Sequence, residues 1–328
     1  MTTGRTMRLL GLAAVAMTVA PLAVAADAAR DYPQQRPIRM VAPFAAGGSS
    51  DLFGRYLAPK LSQRLGQNVI VENRPGAGGI VGASIVAKGT SDGHTLLLPS
   101  GAFTAAAASV KNLPYDPLRD FTWITTLLTY PFVVVVKNDS PIRSVNDFIA
   151  EAKRRPGKLS YGSVGVGSVF HLASELFNSM AKAETLHVPY KGGAASMAAL
   201  MGGQIDIIFG TITGSMPYIQ SNRVRPLAVA SKDPSYLLPG VPTVAETLPG
   251  FDVTSFSAVA GPPGMPRPIV ARLNRELHAV LADPETRKHV QAIGGDIRPE
   301  SPEQIKSRVE SEIAKWRRIV AERKIEVL

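Results

Sequence analysis

Short apolar runs alternate with amphipathic helical stretches along most of this chain, and glycine- or serine-rich breaks separate many of them. Ile38–Ala42, Asn68–Glu72 and Thr95–Leu98 read as strands. Ser49–Leu65 reads as a helix, because Leu52, Phe53, Tyr56, Leu57, Leu61 and Leu65 fall on one face. A glycine-rich turn at Arg74–Gly79 leads into a short helix that stops near Lys88-Gly89. Strands joined by crossover helices build mainly parallel sheets with helices on their faces. The expected fold class is therefore α/β.

The second half repeats the theme. Phe132–Lys137, Leu159–Ser163, Leu186–Pro189, Ile205–Phe209 and Val224–Ala230 read as strands. Ser144 and Ser168 sit where helix N-caps are expected, and Pro156-Gly157 ends the first of these helices. A third helix runs from Ala194 to Met201. The C-terminal third carries two helical stripes, Ile269 to Leu281 and Ile305 to Val320, the second behind Ser301-Pro302. A chain of 328 residues suggests two domains at roughly 100–200 residues each. No low-complexity linker separates them, so ordered strands must join them, near Trp123–Pro131 and Pro226–Ala230.

Composition removes several function classes. With no cysteine there are no disulfides, thiolate metal sites or cysteine nucleophiles. The five histidines include no pair three to five residues apart and no H-E-x-x-H, so neither a metal nor a cofactor is expected. Arg5 and Arg8 precede the apolar run Leu9–Ala20, then Pro21 and Ala23-Val-Ala-Ala26. This reads as a secretory signal over residues 1–25, cleaved after Ala25 or Ala26; a retained membrane anchor is the weaker reading. The formal charge of +10 falls by two when those arginines leave. The remaining basic residues are scattered, with clusters at Lys153–Arg155 and Arg317-Arg318 on helix faces, and export argues against a nucleic-acid partner.

Two loops carry the chemistry. Pro43–Asp51 and Tyr161–Ser168 each lie between a strand and a helix, hold glycines and hydroxyls, and contain no Lys or Arg. Such a loop presents backbone N–H groups at the positive end of a helix dipole, where a carboxylate is favoured. The plainer reading is a tight turn. Tyr161-Gly-Ser-Val-Gly165 nearly matches the G-x-S-x-G nucleophile elbow, but Tyr161 replaces its first glycine. His187, His278 and His289 follow Ser163 in the order a triad needs, so a secreted serine hydrolase stands as a remote alternative. There is no P-loop and no G-x-G-x-x-G.

At these residues the chain resembles the Bug family of periplasmic solute-binding proteins, the receptors of tripartite tricarboxylate transporters. The resemblance rests on Pro43-Phe44 with Gly47-Gly48 and Asp51, on Val71-Glu-Asn-Arg-Pro-Gly-Ala-Gly-Gly79 and on Asp92-Gly-His-Thr-Leu96. Tyr161-Gly, Gly167-Ser, His171-Leu, His187-Val-Pro-Tyr-Lys-Gly192 and Gly202-Gly-Gln-Ile-Asp206 extend it through the second half. It implies a two-lobed, type II-like periplasmic binding protein, each lobe a mainly parallel sheet flanked by helices, with the ligand cleft between them. Lobe 1 is expected at 26–127 and 230–328, and lobe 2, inserted on two crossing strands, at 128–229.

The resemblance further implies a periplasmic, monomeric receptor, not an enzyme, that takes a small organic acid and meets integral membrane transporter subunits or a sensor protein. Its expected ligand contacts begin in the first loop, with Phe44, Ala46, Gly47, Gly48, Ser49, Ser50 and Asp51. Ser100 follows the third strand. Ser163, Gly165, Val166, Gly167, Ser168 and Phe170 come from the second loop, and Tyr190, Gly210 and Thr211 from later strands.

Two departures from the family pattern bear on the ligand. Relatives carry an Asp where Gly210 stands, and loss of that carboxylate admits a second ligand carboxylate while disfavouring an amino acid. Phe170 replaces a small or polar residue. It either stacks on a flat ligand or packs between helix and loop. Dicarboxylates, tricarboxylates and aromatic acids all remain open.

Overall fold

The computed structural model describes residues 32–34, 36–46 and 49–326. The expected signal segment, Gly47 and Gly48 lie outside the described residues, as does the side chain of Ser49.

In the first sheet β1 (Ile38–Ala42) lies between β2 (Val69–Asn73) and β3 (Thr95–Leu97), both parallel to it. On the far side of β3 comes β9 (Thr254–Gly261), antiparallel to it and to the first half of β4 (Thr122–Lys137). The short β10 (Asp296–Ile297) pairs with β4 at Leu128–Thr129. The second half of β4 belongs to the second sheet. There it runs between β7 (Ile207–Thr211) and β8 (Val224–Val229), antiparallel to both. β7 continues into β5 (Ser160–Ser163) and β6 (Leu186–Pro189) as a parallel ladder. Each sheet is thus mixed: crossover helices make its outer strands parallel, and the strands that return through the hinge run antiparallel.

β4 changes partners at Pro131/Phe132, where proline has no N–H to give a ladder. Three segments meet there. Phe132 N donates to Val253 O at 3.4 Å, Val253 N to Ala230 O at 2.8 Å and Ala230 N to Phe132 O at 2.8 Å. The return to the first sheet comes later than Pro226–Ala230. That stretch stays in the second sheet as part of β8, and the chain re-enters the first only at Thr254.

Ten α-helices flank the sheets among the described residues: α1 (Ser49–Leu65), α2 (Ile80–Ala87), α3 (Gly101–Ser109), α4 (Val145–Arg154), α5 (Val169–Ala181), α6 (Gly193–Met201), α7 (Ile212–Gln220), α8 (Arg267–Ala282), α9 (Pro284–Ala292) and α10 (Pro302–Glu322). Local sequence explains several boundaries. Ser144 accepts from Asp147 N to cap α4, and Ser168 accepts from His171 N to cap α5. Ser301 and Gln304 form a capping box in front of α10.

Two helices serve both lobes. α10 buries Ile305, Val309 and Ile313 beside Trp123 and Phe256 of the first lobe. One turn on, it buries Trp316, Ile319 and Val320 beside Phe148 and Phe177 of the second. α3 does the same over a shorter span, with Phe103 and Ala107 in the first core and Ala105 and Ala108 in the second.

Candidate ligand-binding site

Between the lobes lies a cleft of ≈ 840 Å³. It opens at the carboxyl ends of the parallel strands, where α/β folds place ligands. Helix N-termini ring it. Ser168 and Val169 bring in α5, Gly192 and Gly193 bring in α6, and Thr211 brings in α7, all from the second lobe. Ser100 brings in α3 from the first lobe. The first N–H groups of a helix lack intrahelical partners. At α5 the serine cap serves His171 N, so the Val169 and Phe170 N–H groups remain without an intrahelical acceptor. Tyrosine aside, no ionisable side chain among the described residues lines the cleft. A bound anion is therefore met by peptide dipoles and hydroxyls.

The second-lobe loop is held from behind. Gly165 (φ +123) and Gly167 (φ +72) occupy left-handed conformations that favour glycine. Gly165 N donates to Ser163 Oγ at 3.0 Å, and Gly167 N donates to His171 Nδ1 at 3.0 Å. These two N–H groups are thus bonded by Ser163 of the loop and by His171 of α5. Ser168 Oγ, besides capping α5, donates to Gly165 O at 2.7 Å. Ser163 Oγ lies 2.6 Å from His187 Nε2, and the His187 and His171 rings stack at 3.9 Å. Burial pushes both imidazoles down to about 4; the neighbouring His171 pushes His187 further the same way. Below them the Tyr161 hydroxyl donates to Glu175 Oε1 at 2.5 Å, and Arg323, just past α10, pairs with Glu175 at 2.7 Å and with Glu184 at 2.9 Å.

Of the expected contacts, Phe44, Ser100, Val166, Gly167, Ser168, Phe170 and Thr211 line the cleft. Others stand behind it. Ser163 is fully buried, and Tyr190 supports it by donating its N–H to Ser163 O at 3.0 Å. Asp51 is buried in the first turn of α1, with Arg55 Nε 2.9 Å from its carboxylate. Ser50 is buried too, and its hydroxyl has no partner among the described residues. Ala46 is exposed outside the cleft lining, and Gly47 and Gly48 lie outside the described residues. Gly210 sits on β7 against Phe170 instead of on the cleft wall: a Cβ there would stand 3.9 Å from Phe170 Cε1 and 3.0 Å from Ser215 Oγ.

Several lining residues lie outside the contacts expected from the sequence. Ser255 on β9 lines the cleft, beside Gly101 at the start of α3. Tyr130 and Phe132 present alternate residues of β4, and Gly193 opens α6. Period-two alternation through Tyr130 and Phe132 was the available signal, hidden by the proline between them.

Residues 53–325 match the family described as "Tripartite tricarboxylate transporter family receptor". The chain belongs to that family. This receptor is 38% identical over 321 residues to a protein of Pseudomonas sp. strain P51, named for the tcbD-tcbE intergenic region, covering 97% of this chain and 94% of that one. It is 33% identical over 314 residues to Protein BugT of Bordetella pertussis, covering 95% and 96%. Among solved structures it resembles R. palustris Rpa4515 with adipate, at 34% identity and TM-score 0.79, covering 89% of this chain and 98% of that one. The family consists of receptors and not enzymes. The Ser163–His187 contact belongs to the loop's support: the hydroxyl is buried and also bonded to the Gly165 backbone.

Proposed function

We propose that this protein is an exported, monomeric receptor of the periplasm. It captures a small organic carboxylate, a di- or tricarboxylate or an aromatic acid, between its two lobes. It delivers that acid to the integral membrane subunits of a tripartite tricarboxylate-type transporter. The observation that carries the reading is the convergence of helix N-termini from both lobes on a cleft that no ionised side chain of the described residues lines. The similar R. palustris protein described with adipate supports a carboxylate. We place lobe 2 at residues 132–253, supported by the change of sheet after Pro131 and before Thr254, in place of the expected 128–229. Gene deletion tests delivery. Loss of uptake of the acid that the purified protein binds is the expected result. Intact uptake with loss of a transcriptional response to that acid would instead identify a sensory protein.

A further inference from the structure

Phe170 and Gly210 form one feature. Phe170 is the second residue of α5, half-buried, and its ring stands edge-to-face on Phe132 with centroids 5.3 Å apart and planes at 79°. Phe132 is buried at the switch point of β4, so it gives the Phe170 ring a fixed neighbour. From the other side the ring meets Gly210. A Cβ at that position would already press on Ser215 Oγ at 3.0 Å and touch Phe170 Cε1 at 3.9 Å, so a longer side chain would compete with the ring for its place. The missing side chain at 210 thus makes room for the aromatic one at 170. Phe170 nonetheless does not disappear into the core, since it lines the cleft together with Phe44, Tyr130 and Phe132.

Resting on the receptor reading above, we infer that this protein selects acids carried on a flat aromatic ring, and that Phe170 is the residue that sets the selection. The Val169 and Phe170 N–H groups open α5 at its positive end. A carboxylate held there has its body beside the Phe170 ring. The cleft wall mixes aromatic, valine and alanine side chains with the hydroxyls of Ser100, Ser109, Ser168, Thr211 and Ser255, and among the described residues it offers no ionised side chain to pair with polar groups along that body. Aromatic pairs in offset or edge-to-face arrangement gain more than their buried area alone, by about 2- to 10-fold in affinity. A saturated ring of equal span is thicker and lacks that term.

The test is calorimetric titration of the ligand-free protein with terephthalate and with trans-cyclohexane-1,4-dicarboxylate, which match in charge and span, and with adipate as an open chain. Wild-type protein is expected to favour terephthalate over the saturated ring by at least about fivefold. Phe170→Leu should abolish that preference and change the affinity for the saturated acid by less than about threefold. Phe170→Tyr should keep the preference, and it serves as the readout should the leucine variant fail to fold. Equal or tighter binding of the saturated acid by wild type, or a preference that survives Phe170→Leu, overturns the inference. Binding of adipate with neither ring acid overturns it while leaving the receptor reading standing. Binding of none of the three acids counts against both.

Discussion

Ser109 Oγ shares its proton between the carbonyl of Ala105 in its own helix, at 2.8 Å, and the carbonyl of Gly167, at 3.2 Å, bringing the end of α3 against the second-lobe loop that shapes the cleft. The same pair leaves no room for a side chain: a Cβ on Gly167 would stand 2.5 Å from that hydroxyl, at a φ of +72°. Gly167→Val should therefore weaken organic-acid binding at least about tenfold through loop strain and the clash, while the far-ultraviolet circular dichroism stays native. Ser109→Ala, which removes about 1 kcal/mol of hydrogen bonding and no volume of consequence, should cost less. Titration calorimetry on both variants gives the comparison, and normal affinity in the valine variant would remove this loop from the site.

The stacked imidazoles predict an acid-sensitive fold. His171 and His187 are held down to about 4 by burial in the folded protein, against about 6.5 in an unfolded chain. Above pH 6.5 both are neutral in either state and the fold has its full stability. Between pH 6.5 and 4 the unfolded chain takes up protons that the folded one refuses, and stability falls by up to about 3 kcal/mol for His171 alone. His171→Asn keeps an acceptor for Gly167 N, and it should flatten the fall in urea midpoint between pH 7 and pH 4.5 relative to wild type. Tyr161, Glu175 and Arg323 face the same cluster and are unchanged in that variant. An unaltered slope would place the acid sensitivity elsewhere.

Arg323 joins the last turn after α10 to Glu175 and Glu184 of the second lobe. Glu175 is buried, and Tyr161 and Asn178 already donate to it. Arg323→Ala leaves that carboxylate without its cation and should destabilise the protein by about 3 kcal/mol, read as a lowered denaturant midpoint. Glu175→Gln in the same background should recover part of the loss. No change on Arg323→Ala would show the pair to be solvated.

Gly210→Asp tests the remaining charge argument. The new side chain must push against Phe170 and Ser215, which weakens every acid that uses that wall. It also places a carboxylate near the cleft. At an effective dielectric of ~20, like charges ~4 Å apart repel by about 4 kcal/mol. A dianion such as terephthalate should therefore weaken more than benzoate. Equal weakening of the two would assign the whole effect to displacement of Phe170.

Much of this arrangement is legible from local pattern. Ser144, Ser168 and Ser301 mark helix starts because a hydroxyl can satisfy an orphan N–H there, and all three cap as the sequence suggests. α3 was not legible. Gly101–Ser109 is small and apolar on nearly every side, because it packs between two cores, and so it shows no amphipathic stripe. β9 escaped for a related reason: its serines and alanines fill the tight space between β3 and β4. Pro131 hid the continuity of β4, since proline argues against a central strand until the change of partners explains it. At the site, the sequence pointed to Gly165 and Gly167 as ligand donors. Their N–H groups instead bond locally, to the Ser163 hydroxyl two residues before Gly165 and to the His171 ring four residues after Gly167, because the positive-φ glycines turn them back into the protein.

The cleft is expected to close on an organic acid. A thermal-shift screen of the purified mature protein against mono-, di- and tricarboxylates and aromatic acids tests it most directly, because a ligand that binds only the folded state raises its stability by mass action. At least one acid should raise the melting temperature saturably. Gly167→Val should shift far less at the same concentration. A panel in which no organic acid moves the melting temperature, or in which Gly167→Val responds as wild type does, would contradict the account.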